Sequence, residues 1–161
     1  MKFSNINKTQ NEMLPRTAKY FKEELISHIE VLNRGNPDIE SLVDYIATAE
    51  IINYTLKEDY KAMSIEGQRM SGKKLIIEVL FKNRLSYDST EIKYGINIVF
   101  SSFIKSIFIV VPEKIGNDYV CDLIRAQKFM ITPYIEEVHS RKLDDRRIHI
   151  ASILFVDLKF C

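Results

Sequence analysis

Between Gly67 and Tyr87 the chain alternates for longer than anywhere else. The odd positions read Leu75, Ile77, Val79, Phe81, Asn83, Leu85 and Tyr87. The even ones carry Lys74, Glu78, Lys82, Arg84 and Ser86, interrupted by Ile76 and Leu80. Period two over that length predicts a long antiparallel strand with one buried face. Asp88-Ser89-Thr90 is a turn signal, and the next run sets Ile92, Tyr94, Ile96, Ile98 and Phe100 against Lys93, Gly95 and Asn97. The expectation is a second antiparallel strand with the even residues inside. Ser101-Ser102 breaks this register; Phe103 to Val111 is apolar on both parities, the pattern of a strand covered on both faces, and Pro112 ends it.

Tyr45 to Lys57 reads as a strand, preceded by one helical turn over Ile39, Leu42, Val43 and Ile46. Tyr119 to Met130 fits a short helix and a strand equally. Phe129 to Val138 reads as a strand that Pro133 assigns to an edge or a bulge. The charged segment Ser140 to Arg147 reads as a hairpin turn into a final strand with Ile148, Ile150, Leu154, Val156 and Leu158 on one face. Near the start, Ala18, Phe21, Leu25, Ile29 and Leu32 fall on one helical stripe between Pro15 and the Gly35/Pro37 pair. That spacing predicts an amphipathic helix from Thr17 to Asn33, which either covers the sheet or docks on a neighbouring subunit through Phe21, Leu25, Ile29 and Leu32. The fold class expected is mainly β, an antiparallel β-sandwich or open barrel with an N-terminal amphipathic helix. Residues 1–35 form an arm and helix, and residues 36–161 the β domain.

Charge narrows the function. Lys plus Arg number 23 and Asp plus Glu 22, so the basic excess that nucleic-acid binding requires is missing. Residues 1–10 lack the apolar run of a signal peptide, and Ile104 to Val111 is too short to span a bilayer as a helix, so neither secretion by signal peptide nor a membrane partner is expected. The two cysteines, Cys121 and Cys161, cannot make a disulfide scaffold; they read as two ordinary thiols, the sharper alternative being an intermolecular crosslink, through Cys161 first, once the surroundings turn oxidising.

No catalytic, cofactor or metal grouping stands out. His28, His139 and His149 are scattered, neither cysteine lies in CxxC, and the five glycines do not cluster into a phosphate loop. Glu136-Glu137 beside His139 is the nearest approach to acid–base chemistry, but consecutive strand residues point to opposite faces. Tyr87, Tyr94 and Tyr134 are the candidates for an aromatic ligand groove, although core packing accounts for them as well.

The order of the motifs carries more. Asn36-Pro37-Asp38-Ile39-Glu40 comes first, then Gly72 to Glu78 (GKKLIIE) and Leu85-Ser86-Tyr87. Ile98 to Ile104 (IVFSSFI), Val111-Pro112-Glu113, Pro133 to Val138 (PYIEEV) and Leu143 to Arg147 (LDDRR) follow. This succession, covering residues 36–160, resembles the SPOCS domain family of spore-forming bacteria. It departs from the family pattern at Val79, where glycine is usual, at Val99 for proline, at Glu137 for aspartate, and in extra residues 105–108. The resemblance implies a non-enzymatic structural protein of the spore coat or exosporium, without a cofactor, whose partners are itself and other coat proteins. It would be made in the mother-cell cytoplasm and deposited on the spore surface, self-associating through strand edges and the N-terminal arm. An adaptor that binds one coat morphogenetic protein without polymerising is the alternative.

Overall fold

The structure, a computed structural model, describes residues 14–58, 62–63, 69–70, 73–91, 93 and 95–161. The expected arm before residue 14, the Ser71-Gly72 turn, Ile92 and Tyr94 lie outside them. The elements in order are β1 (Tyr20–Val31), β2 (Ile39–Glu58), β3 (Ala62–Met63), β4 (Arg69–Met70), β5 (Lys73–Ser89), β6 (Ile96–Val111), β7 (Lys114–Ile115), β8 (Asp118–Tyr119), α1 (Val120–Arg125), β9 (Phe129–Lys142) and β10 (Arg147–Phe160). The protein is mainly β and antiparallel. Two three-stranded sheets, β1-β10-β9 and β2-β5-β6, are accompanied by the two-stranded β3-β4 and β7-β8.

β5 is the central strand of its sheet, and its odd residues Leu75, Ile77, Val79, Phe81, Leu85 and Tyr87 are buried as the alternation predicts. They meet Leu154, Val156 and Leu158 of β10 in one core cluster and Ile148 and Ile150 in a second, so the two sheets share their inner faces. β9 lies beside β2, with Phe129 edge-on to Tyr54 at 5.0 Å. β1 lies beside β6, where the His28 ring sits 4.5 Å from that of Phe103. No hydrogen-bonded ladder joins either pair among the described residues, and the strands do not close into a barrel. Pro133 falls on β9, an edge strand, the place in a sheet where proline is tolerated.

Four expectations are corrected. The segment predicted as a helix from Thr17 to Asn33 contains strand β1, paired with β10 from Tyr20↔Leu158 to Val31↔Arg147. Phe21, Leu25 and Ile29 are four apart, and four is one helical turn but also an even number, so the same stripe lies on one side of a strand. The free edge of β10 decides between the two readings. Leu32, which breaks that parity, is the one residue of the four that turns into the core.

The second correction concerns β6. It runs unbroken through Ser101-Ser102, and its inner face is odd, with Ile107, Ile109 and Val111 buried; Ile96, Ile98 and Phe100 point outward. Pairing with β5 fixes this parity, since Phe81 stands opposite Phe103 and Leu75 opposite Ile109. It follows that Phe103 to Val111 is covered on one face only.

Third, no helical turn precedes β2, which is extended from Ile39 onward. An irregularity between Ile51 and Asn53 leaves Ile52 outside and lets Tyr54 and Leu56 join Ala49 and Ile51 against the core. Fourth, Glu136 and Glu137 do not simply alternate. Glu137 pairs with Ile153 and Ile135 with Leu154, so Glu136 is the extra residue of a β-bulge. The ambiguous segment after Tyr119 resolves into α1, which buries Val120, Leu123 and Ile124.

Candidate functional site

Ten of the sixteen large apolar side chains exposed among the described residues lie on β1 and β6. β1 contributes Phe21, Leu25, Ile29 and Val31; β6 contributes Ile96, Ile98, Phe100, Ile104, Phe108 and Val110. Each set is the outer face of an edge strand; the two strands are neighbours through the inward-facing His28 and Phe103, and their outer faces belong to different sheets. Phe100 is 75% exposed and Leu25 68%. With about half of each side chain in water, the β6 stripe presents on the order of 600 Å² of apolar surface and the β1 stripe on the order of 400 Å². The largest patch on a typical monomer covers about 300–600 Å² and is often functional, so the β6 stripe stands at the top of that range. Lys22 and Lys74 each hold an ammonium 5.6 Å from the Phe108 ring, a cationic rim at one end of the β6 stripe.

The outer face of the β1 sheet continues the apolar surface inward from β1. Phe21 stacks on Phe155 at 5.5 Å, and Phe155 meets Tyr134 at 6.1 Å. Carboxylates stand among these rings. Burial, followed by the neighbouring Glu23 and Glu137 carboxylates, pushes Glu136 above the usual carboxylate range. Glu137 Oε1 lies 2.8 Å from His139 Nε2. The bulge therefore brings three glutamates within electrostatic reach on one face, which strict alternation in the sequence did not foretell. Among the described residues no group of three or more His, Cys, Asp or Glu is placed to hold a metal ion.

Between the two core clusters runs a layer of polar residues facing inward: His28 and Glu30 on β1, Asn83 on β5, Ser101 on β6 and Ser152 on β10. Tyr45 donates its hydroxyl to Glu30 Oε2 at 3.4 Å, and Asn83 Nδ2 donates to Ser101 Oγ at 3.5 Å. Burial, the nearby Glu30 charge and the hydrogen bond to it hold the Tyr45 phenol far above its ordinary range. His28 is displaced downward, by burial first, with Glu30 opposing and His149 assisting. Its Nδ1 is buried without a partner. A depressed folded-state pKa means that below pH 6.5 the unfolded chain takes up a proton the folded chain resists. Stability is therefore expected to fall as pH drops through that value. His28→Phe, which keeps the ring on Phe103, should flatten this part of the profile in urea titrations at a series of pH values. An unchanged slope in the variant would remove His28 from the account.

The motifs that are far apart in the chain meet at one corner. Arg146 donates to the carbonyls of Asn36 at 3.1 Å, Leu32 at 3.3 Å and Asn33 at 2.6 Å, and pairs with Asp38 Oδ1 at 2.5 Å. The Ile39 amide donates to the Asp145 carbonyl at 2.8 Å, and the Tyr87 hydroxyl to the Pro37 carbonyl at 3.0 Å. Asp144 caps the same turn, accepting from the Arg146 amide at 2.9 Å and from Arg147 Nε at 2.6 Å, and these bonds hold its carboxyl below the usual range. All of this is structural: every group that converges is an internal hydrogen-bond partner. Tyr87 is fully buried and so lines no groove, Tyr134 is half-buried beside Phe155, and Tyr94 is outside the described residues.

Of the predicted interaction residues, Phe21, Leu25 and Ile29 are brought together on the outer face of β1, whereas Leu32 is core. Both cysteines are free thiols; Cys161 is exposed, and Cys121 is half-buried in α1. The residues missed by sequence reasoning are those of the β6 stripe, because their alternation signals a two-faced strand without saying which face is inside. No helix of the described residues is long and apolar enough to cross a membrane.

No family model, curated protein or solved structure matches this chain.

Proposed function

We propose that this protein is a non-enzymatic structural component of the bacterial spore coat or exosporium that joins neighbouring proteins through the outer faces of β1 and β6. The observation that carries the reading is the concentration of exposed apolar side chains on those two strands, ten of the sixteen among the described residues. The spore assignment rests on the resemblance to the SPOCS family, and one feature supports it. Asn36-Pro37-Asp38-Ile39, Tyr87 and Asp144-Asp145-Arg146, drawn from three separated motifs of that resemblance, are partners in one hydrogen-bonded corner. A succession of motifs that also forms a physical unit is one that a shared fold would preserve. The N-terminal element is a strand rather than a helix, and the exposure of Phe21, Leu25 and Ile29 on it supports the contact role proposed for them.

Its synthesis in the mother cell and deposition on the spore surface, with Cys161 available for crosslinking there, belong to the same proposal. Immunogold labelling of sporulating cells, with fractionation of mature spores, tests it. The protein is expected in the detergent-resistant surface layers. Recovery only from the soluble cytoplasm of vegetative cells would overturn the spore assignment.

A further inference from the structure

We infer that the occupant of the β6 stripe is a second copy of this chain, packed face to face about a two-fold axis passing over Phe103. The inference rests on the assembly reading above and specifies which partner and which register. The outward residues of β6 run Ile96, Ile98, Phe100, Ser102, Ile104, Ser106, Phe108, Val110. Reversal about position 103 sets Phe100 over Ser106 and Ile104 over Ser102 of the other copy. Each bulky side chain near the axis thus meets a small one, as interdigitation of two packed sheet faces requires. Farther out, Phe108 meets Ile98 and Val110 meets Ile96.

The neighbouring strand is complementary in charge under the same operation. On β5, Arg84 stands beside Phe100 and Glu78 beside Ser106. The two-fold that brings Phe100 over Ser106 therefore brings Arg84 of one copy over Glu78 of the other, and does so twice. A register shifted by two residues loses the bulky-to-small match, and Arg84 then lies over Ile76 or Leu80 instead of Glu78. The six β6 side chains offer on the order of 600 Å² of apolar surface, and the β5 side chains beside them extend the face towards the about 800 Å² per partner of a standard stable interface. The isologous arrangement closes on itself, which leaves the β1 stripe as a separate surface.

Sedimentation equilibrium of the full chain, followed by charge exchange, tests this. The wild-type protein is expected to be dimeric, and Ile104→Lys monomeric with an unchanged circular dichroism spectrum, since Ile104 is 58% exposed and its replacement disturbs no core. Arg84→Glu and Glu78→Arg are each expected to weaken the dimer about tenfold, and the double variant to recover most of that loss. The recovery sets a contact between copies apart from the internal pairing of Arg84 with Asp44 and Glu78 with Asn53, which the exchange does not restore. A wild-type monomer at the highest soluble concentration would overturn the second copy as occupant, yet leave the assembly reading intact if another coat protein is captured. A dimer untouched by Ile104→Lys would overturn this face, and a double variant no better than the single ones would overturn the register.

Discussion

Phe81→Ala is expected to lower stability by about 3–5 kcal/mol, the usual cost of truncating a buried aromatic ring. Phe81 is 1% exposed at the middle of the central strand, in the larger core cluster. It lies flat on Phe103, with centroids 4.8 Å apart and planes 7° from parallel, and Phe103 in turn carries the His28 ring of β1. The cavity left by the substitution would thus open beneath the seam where β1 and β6 touch without a ladder. Beyond the global loss, the β1 amides should exchange with solvent faster than those of β10. Urea unfolding followed by circular dichroism, with hydrogen exchange on the same samples, measures both effects. A loss below about 1 kcal/mol would mean that the site can collapse around the missing ring and that the stack does not tie the two sheets together.

Arg146→Ala is the second large effect, about 2–4 kcal/mol, by removal of several charge-assisted bonds from one half-exposed corner. Arg146 collects the carbonyls of Leu32, Asn33 and Asn36 and the Asp38 carboxylate, and so ties the β1–β2 connection to the β9–β10 turn. Arg146→Lys should recover only part of the loss, because one ammonium cannot reproduce the fork of a guanidinium. The Leu32 and Ile39 amides, which donate to the carbonyls of Arg146 and Asp145, report the corner directly by hydrogen exchange. Full protection of both amides in the alanine variant would show that the backbone bonds hold the turn unaided.

The two predictions contrast in how visible their residues were. Phe81 was legible from period two alone, since a single parity runs unbroken from Leu75 to Tyr87 and only one sheet face can be buried. Arg146 was visible as part of a charged turn, but its partners are more than 100 residues away in sequence, and no local pattern ranks one arginine of that turn above another. The Glu136 bulge was hidden for a similar reason: an extra residue in one strand is defined by its partner strand, here β10.

The surface proposed for assembly was the least legible part. The outer face of β6 alternates as cleanly as a core face does, because it is nearly as apolar. Read alone, that alternation places Ile96, Ile98 and Phe100 inside. On β1, a spacing of four satisfies helix and strand together; Phe21, Leu25 and Ile29 share an exposed face in either element, whereas Leu32 is buried.

The amino-acid pattern by itself determined an antiparallel, mainly β chain, the parity of its central strand, the edge position of Pro133 and the hairpin before the last strand. These depend on spacing and turn chemistry within a few residues. Only the tertiary structure decided that residues 20–31 are a strand, which face of β6 meets the core, and that the excess apolar surface gathers on two neighbouring edges. Those outcomes follow from which strand offers a free hydrogen-bonding edge and from the register that buries the most surface, and both belong to pairs of segments rather than to either one.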